Sequence, residues 1–120
     1  MKLFRALLFL PLSALGNPGS NETEIINHLI SGNQLYEDFK SYKGQAEESQ
    51  FNRAYYLGYV TGAVDMGNHA LFCLPNGVTA GQIADSVGKY LTDNPQRRHF
   101  SGARLVAEAL AEHYPCKGAQ

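Results

Sequence analysis

Apolar positions recur along this chain at helical spacing, and the runs are separated by clear stop signals. Asn21 with Glu24 three residues on reads as an N-cap and its capping-box partner. Ile25, Ile26, Leu29 and Ile30 follow at helical spacing, and Gly32 supplies a C-terminal stop. A short second segment, Leu35 to Tyr42, places Leu35, Tyr36 and Phe39 on one side and ends at Gly44. From Gln45 to about Leu71 no proline intervenes, which predicts one long helix opening with Glu47 and Glu48 near the positive end of its dipole. Two stripes run along it: Phe51, Tyr55 and Tyr59, and beside them Ala54, Gly58 and Gly62. A glycine inside a helix costs about 1 kcal/mol, so two of them four apart predict a tight crossing by another helix.

Pro75-Asn76-Gly77 is a turn signal, and Thr79 with Gln82 forms a second capping box. Ile83, Ala84, Val87, Tyr90 and Leu91 then keep helical spacing as far as Asn94-Pro95. Asn94 reads as the N-cap, and Pro95 as the first position, of a last helix. The apolar stripe of that helix is Phe100, Ala103, Ala107, Leu110 and Tyr114, and Pro115 stops it. No repeat or low-complexity tract interrupts the pattern. The expected fold is all-α, a compact bundle of four or five helices.

The first sixteen residues carry a different pattern. Lys2 and Arg5 precede an apolar run from Ala6 to Leu15, and Ala14 and Gly16 put small residues at a cleavage site. This is the layout of a secretory signal peptide. The run is shorter than the roughly 20 residues of a membrane span, so residues 17–120 are expected to form a single exported domain. Composition agrees with one domain: 120 residues, 44% hydrophobic and 18% charged, too apolar for disorder. Ten Lys+Arg against eleven Asp+Glu leave no basic surplus for neutralising phosphates, which excludes a sequence-independent nucleic-acid binder.

Export decides how the two cysteines, Cys73 and Cys116, are read. In an oxidising compartment an even pair predicts a disulfide. The competing reading, Cys73 as a nucleophile served by His69 or His99, requires a free thiol and gives way to it. His28, His69, His99 and His113 are scattered without ligand spacing, so no metal or cofactor site is expected. Asp65 and His69 stand four apart on the long helix, a geometry that could orient an imidazole. A surface pair near a helix C-terminus, where a cationic histidine is favoured, is the preferred reading. No catalytic residue can be named. Arg97, Arg98 and His99 set positive charge close behind Pro95, where solvation or pairing with Asp93 competes with contact to an acidic partner.

The chain resembles the Rap/Tai family of type VI secretion amidase immunity proteins. The matching residues are Gly58-Tyr59-Val60-x-Gly62-x-x-Asp65 and Cys73-x-Pro75-x-Gly77-Val78-Thr79-x-Gly81-Gln82. They continue through Tyr90-Leu91-x-x-x-Pro95, Arg98-His99 and Leu105-Val106-x-x-Ala109-Leu110 to Tyr114-Pro115-Cys116, with a looser Gly32-Asn33-x-Leu35 upstream. The resemblance implies a small, exported, helical and often dimeric protein that is not an enzyme. Such a protein would plug the active-site groove of a secreted peptidoglycan amidase in the periplasm. Many relatives carry further cysteines near Phe39 and Tyr56. Their joint absence here predicts that these two positions touch, with an aromatic contact in place of a covalent one. The helix opened by Thr79 corresponds to one that contributes to effector contact in the family. Its outer face, Gln82, Asp85, Ser86 and Lys89, with Arg97 and Arg98 in the following turn, is therefore the expected partner-binding surface. The alternative to immunity is a periplasmic structural or stress-related module without a toxin partner.

Overall fold

The computed structural model describes residues 29–45 and 50–118. The signal-peptide pattern, the capping box at Asn21 and the Glu47-Glu48 start lie outside the described residues. Among the described residues four α-helices follow in order: α1 (Gly32–Tyr42), α2 (Gln50–Gly67), α3 (Ala80–Asp93) and α4 (Gly102–His113). A single 3-10 turn, Pro95–Arg97, joins the last two. Among the described residues there is no strand, only two isolated bridges. The all-α expectation holds.

Gly32 is not a stop but the first residue of α1. Ser31 caps it, its hydroxyl accepting from the Gln34 amide at 3.2 Å. A side chain at position 32 would run into the Leu105 methyl and stand 2.8 Å from the Arg98 backbone. That closeness lets the chain bond across: the Gly32 amide donates to the Phe100 carbonyl at 2.8 Å and the Gly102 amide to the Ile30 carbonyl at 2.7 Å. The starts of α1 and α4 are thereby tied together. At the far end of α1, Gly44 takes a φ of 71°, the left-handed stop expected there.

In α2 the buried face is not the one the glycine stripe suggested. Tyr56, Val60, Val64 and Gly67 point inward, while Phe51 is 72% exposed and Ala54, Gly58 and Gly62 are also exposed. Among the described residues nothing lies within 4 Å of where a side chain at Gly58 or Gly62 would stand, so none of the described helices crosses there. The helix is apolar on most of its circumference, and periodicity alone cannot choose the inward side. It also ends at Gly67, four residues early. Gly67 packs against the Phe72 ring, whose nearest atom would lie 2.8 Å from an added Cβ. The reversal is fastened by the Leu71 amide donating to the Gly67 carbonyl at 2.8 Å and the His69 amide to the Phe72 carbonyl at 2.7 Å. His69 takes a left-handed φ of 70° in this turn, outside the helix that would have aligned it with Asp65.

The Thr79 capping box forms as read, with Gln82 donating its amide at 3.1 Å and accepting from Thr79 at 2.9 Å. Ile83, Ala84, Val87 and Leu91 of α3 are buried and Tyr90 is half-buried. Beyond α3 the expectation shifts. Asn94 turns its side chain back to the Tyr90 carbonyl at 2.8 Å instead of capping forward, so Pro95 starts only one 3-10 turn. The last helix is capped by Ser101, and its buried residues are Leu105, Val106, Ala109 and Leu110, a phase that shares only Leu110 with the stripe inferred from sequence.

Phe39 and Tyr56 do touch, with ring centroids 5.5 Å apart, and Tyr42 adds a third ring 5.2 Å from Tyr56. The Tyr56 hydroxyl donates to the Ala84 carbonyl at 2.7 Å. Burial holds that phenol protonated, pushing its pKa up. The rings thus sit where α1, α2 and α3 meet. Cys73 and Cys116 are bonded, with Cα atoms 4.8 Å apart. The Cys73 amide donates to the Tyr114 carbonyl at 2.8 Å beside the bridge. Together they fix the exit of α2 to the end of α4.

Candidate functional site

Gln82, Asp85, Ser86 and Lys89 share the outer side of α3, as their spacing of three and four requires. Gln82, Asp85 and Lys89 are exposed and Ser86 is half-buried. Each exposed member has a nearby partner. Asp85 accepts from Lys43 of the α1 exit at 3.3 Å, and Lys89 donates to Asp93 one turn on at 2.7 Å. The bond to Asp93 raises the Lys89 pKa. Gln82 is closed into the capping box. The face is a row of polar side chains, three of them paired, on a helix held at both ends, with buried apolar residues behind it.

The two arginines past Pro95 are drawn inward instead. The Arg98 guanidinium donates to the Leu91 carbonyl at 2.7 Å and the Thr92 carbonyl at 3.3 Å. It thereby satisfies the negative C-terminal end of α3 and lies 3.6 Å from the Tyr36 ring centre. Arg97 does not pair with Asp93, which already holds Lys89. It makes a two-pronged contact with Glu108 of α4, at 2.8 and 2.6 Å. Glu108 also accepts from Arg104 at 2.9 Å and from the Tyr90 hydroxyl at 2.8 Å. These donors, Arg97 foremost, hold the Glu108 carboxyl down at a pKa of about 2. Phe100 is flanked by both cations, Arg104 at 3.9 Å and Arg97 at 4.9 Å from its ring centre. No helical spacing links Glu108 to Arg97, eleven residues away across a break, and this node is visible only in three dimensions.

A second surface was missed altogether. Gly58, Gly62 and Ala63 of α2 form the floor of an open apolar groove of about 610 Å³, walled by Met66, Leu71 and Ala107. Met66 is 86% exposed and Leu71 61%. The two glycines signal a close approach, but their spacing does not tell a contact within the chain from an open surface.

Nothing in either surface resembles catalytic machinery, and among the described residues no three His, Cys, Asp or Glu side chains gather as metal ligands. No helix among the described residues is long and apolar enough to cross a membrane. No curated protein matches the chain. The family model of the Rap1a immunity proteins matches residues 31–116, from the cap of α1 to the second half of the disulfide. The chain belongs to the Rap1a immunity protein family.

Proposed function

We propose that this protein is exported to the periplasm and there binds a peptidoglycan amidase delivered by type VI secretion, blocking its substrate groove. Membership of the immunity family across the whole helical bundle is the observation that carries this reading. The protein acts by occupation, as a homodimer, and catalyses nothing. The outer face of α3, Gln82, Asp85, Ser86 and Lys89, is the contact surface, with Arg97 and Arg98 at its edge. Two features support that choice. Its side chains are already held by Lys43, Asp93 and the capping box, so little rotamer freedom is lost on binding. Its helix is anchored at the N-terminus by the capping box and at the C-terminus by Arg98. The affinity would come from a few central anchors with a polar rim around them.

The test uses a candidate cognate amidase, sought first among the products of the neighbouring genes. Protein purified from the periplasm should co-purify with that amidase and suppress its peptidoglycan cleavage. Asp85→Arg combined with Lys89→Glu exchanges the charges of two exposed residues and should leave the fold intact. Inhibition at unchanged affinity by a normally folded double variant refutes the α3 face, and no binding by the wild-type protein refutes this amidase as its target.

A further inference from the structure

Phe51 and Tyr55 open α2 with two rings turned outward, their centroids 5.9 Å apart. Phe51 is 72% exposed, and Leu29, where the described chain begins, is 81% exposed. These three side chains stand around one hollow of about 420 Å³ that Gln34 and Asp38 of α1 also line. Asp38 is only 5% exposed, and its carboxylate accepts from the Gln34 side-chain amide at 3.3 Å. A carboxylate takes several donors, so this one has capacity for another. Scattered surface leucines need no explanation, but an apolar rim around a buried acceptor does. It fits an occupant that carries large apolar side chains and hydrogen-bond donors together.

Three stretches of the chain lie outside the described residues. Residues 46–49, Ala-Glu-Glu-Ser, carry one methyl ahead of three polar side chains, and 119–120 are Ala-Gln. Beyond the expected cleavage point, only the stretch ahead of Leu29 brings large apolar side chains, Ile25 and Ile26. A helix begun at Asn21 sets Ile25, Ile26 and Leu29 on one side. Ile25 is about 6 Å along the chain from Leu29 if helical and at most about 14 Å if extended. Either way it stays within reach of two rings one helical turn apart. Asn27 and His28, immediately before Leu29, bring the N–H donors that suit Asp38. Tethered this closely to the rim, the isoleucines have an effective concentration on the order of millimolar, which favours them over a separate molecule.

We propose that Asn21–His28 folds back over the start of α2 as an intramolecular cover, with Ile25 and Ile26 against Phe51 and Tyr55. The covering segment lies upstream of residues 31–116, the span that the family model matches. It closes the Phe51 end of α2 to other molecules and leaves the α3 face free, since no α3 residue lines the hollow. The export reading enters only through where the chain starts.

The chain contains no tryptophan, so Phe51→Trp supplies a single reporter under the cover. In the full chain, expressed with its leader and purified, acrylamide should quench this indole several-fold less than free N-acetyltryptophanamide. Adding Ile25→Asp and Ile26→Asp should remove most of that shielding while helical circular dichroism is kept. An independent variant leaves the isoleucine at 25 in place. Ile26→Cys with Tyr55→Cys should form an intrachain disulfide on mild oxidation, with Cys73–Cys116 intact in the peptide map. It should form about tenfold faster than the pair Ile26→Cys with Lys89→Cys, which lies outside the hollow. Quenching of Phe51→Trp equal to the free indole, shielding that the two aspartates leave unchanged, or equal rates for the two cysteine pairs overturns the cover. Shielding that disappears on dilution assigns the hollow to a second copy and overturns it as well. Intact mass separates this from the export reading. A chain that retains Met1 yet shields the indole refutes export with cleavage and supports the cover, whereas a chain that starts after Ile26 overturns the cover.

Discussion

Gly88 is where the packing of α1 against α3 is least forgiving. A Cβ there would stand closer than 3.0 Å to three ring atoms of Phe39, which is 8% exposed. The ring cannot retreat freely, because Tyr56 packs on it with centroids 5.5 Å apart and is itself held by its bond to Ala84. Gly88→Ala would gain about 1 kcal/mol from helix propensity. Against this, forcing a methyl into a filled core costs typically about 1–3 kcal/mol, and more where the neighbour is rigid. A three-ring cluster pinned by a buried hydrogen bond puts this site at or above the top of that range. The expected net loss is about 2 kcal/mol, and for a domain of this size each kcal/mol shifts the melting temperature by about 4–8 °C. Gly81→Ala on the same helix is the control, because its nearest neighbour would be the Thr79 hydroxyl at 3.9 Å and it should be neutral or slightly stabilising. Adding Phe39→Leu to Gly88→Ala should recover part of the loss, giving a coupling of about 1 kcal/mol in a double-mutant cycle. Thermal melts of the four variants decide the matter. Gly88→Ala as stable as Gly81→Ala, or a double variant whose losses simply add, would show that Phe39 does not rest on Gly88.

The disulfide spans 43 residues, for which the chain-entropy estimate is about 4 kcal/mol. Cys73→Ser with Cys116→Ser should lower the denaturation midpoint accordingly, and a midpoint unmoved by both the double variant and reductant contradicts it. The oxidised protein should show no free thiol when unfolded. Glu108 carries a pH-dependent contribution. Its folded pKa of about 2 lies below the ordinary 4.5, so the stabilisation is complete above 4.5 and is lost as pH falls towards 2. After allowance for solvent screening this is worth about 1–2 kcal/mol. Glu108→Gln should therefore be destabilised at pH 7, with the gap to wild type narrowing as pH falls through 2, and an equal gap at pH 7 and pH 2 would refute an ionic origin.

Local signals were the legible ones. The Thr79 capping box needs only two side chains three residues apart, and it forms as read. The stop at Gly44 and the buried face of α3 follow from equally short-range rules. What could not be read depends on partners distant in sequence. Gly32 looks like a helix stop until Leu105 and Arg98 are seen to need its missing side chain. Pro95 looks like the start of the last helix, yet Arg97, two residues later, is bound to Glu108, and the helix starts afresh at Ser101. In α2 the difficulty is of another kind. Its sequence is apolar around most of the helix, so two faces compete for the core, and the glycines favoured the wrong one. The true inward face is set by Tyr56, because its hydroxyl reaches the Ala84 carbonyl only when Val60 and Val64 turn inward with it.

The places where the bundle is fastened bear on how it could bind. The disulfide and the Cys73–Tyr114 bond join the α2 exit to the end of α4. Glu108 joins α4 to the turn after α3, and Arg98 closes the end of α3 onto α1 through Tyr36. The bonds of Gly32 and Gly102 join the starts of α1 and α4. None of these ties uses the outward side of Gln82, Ser86 or Lys89. A helix so supported has little backbone freedom left to lose, which is the condition under which a modest polar face gains affinity from preorganisation instead of area. Loosening a tie while the α3 side chains stay in place is then expected to weaken binding. Glu108→Gln frees Arg97 from its two-pronged partner while leaving Asp85 and Lys89 as they are. At neutral pH it should speed dissociation from a cognate amidase even at temperatures where the fold is fully populated. Unchanged dissociation by a variant that has measurably lost stability would show that the α3 face needs no such support.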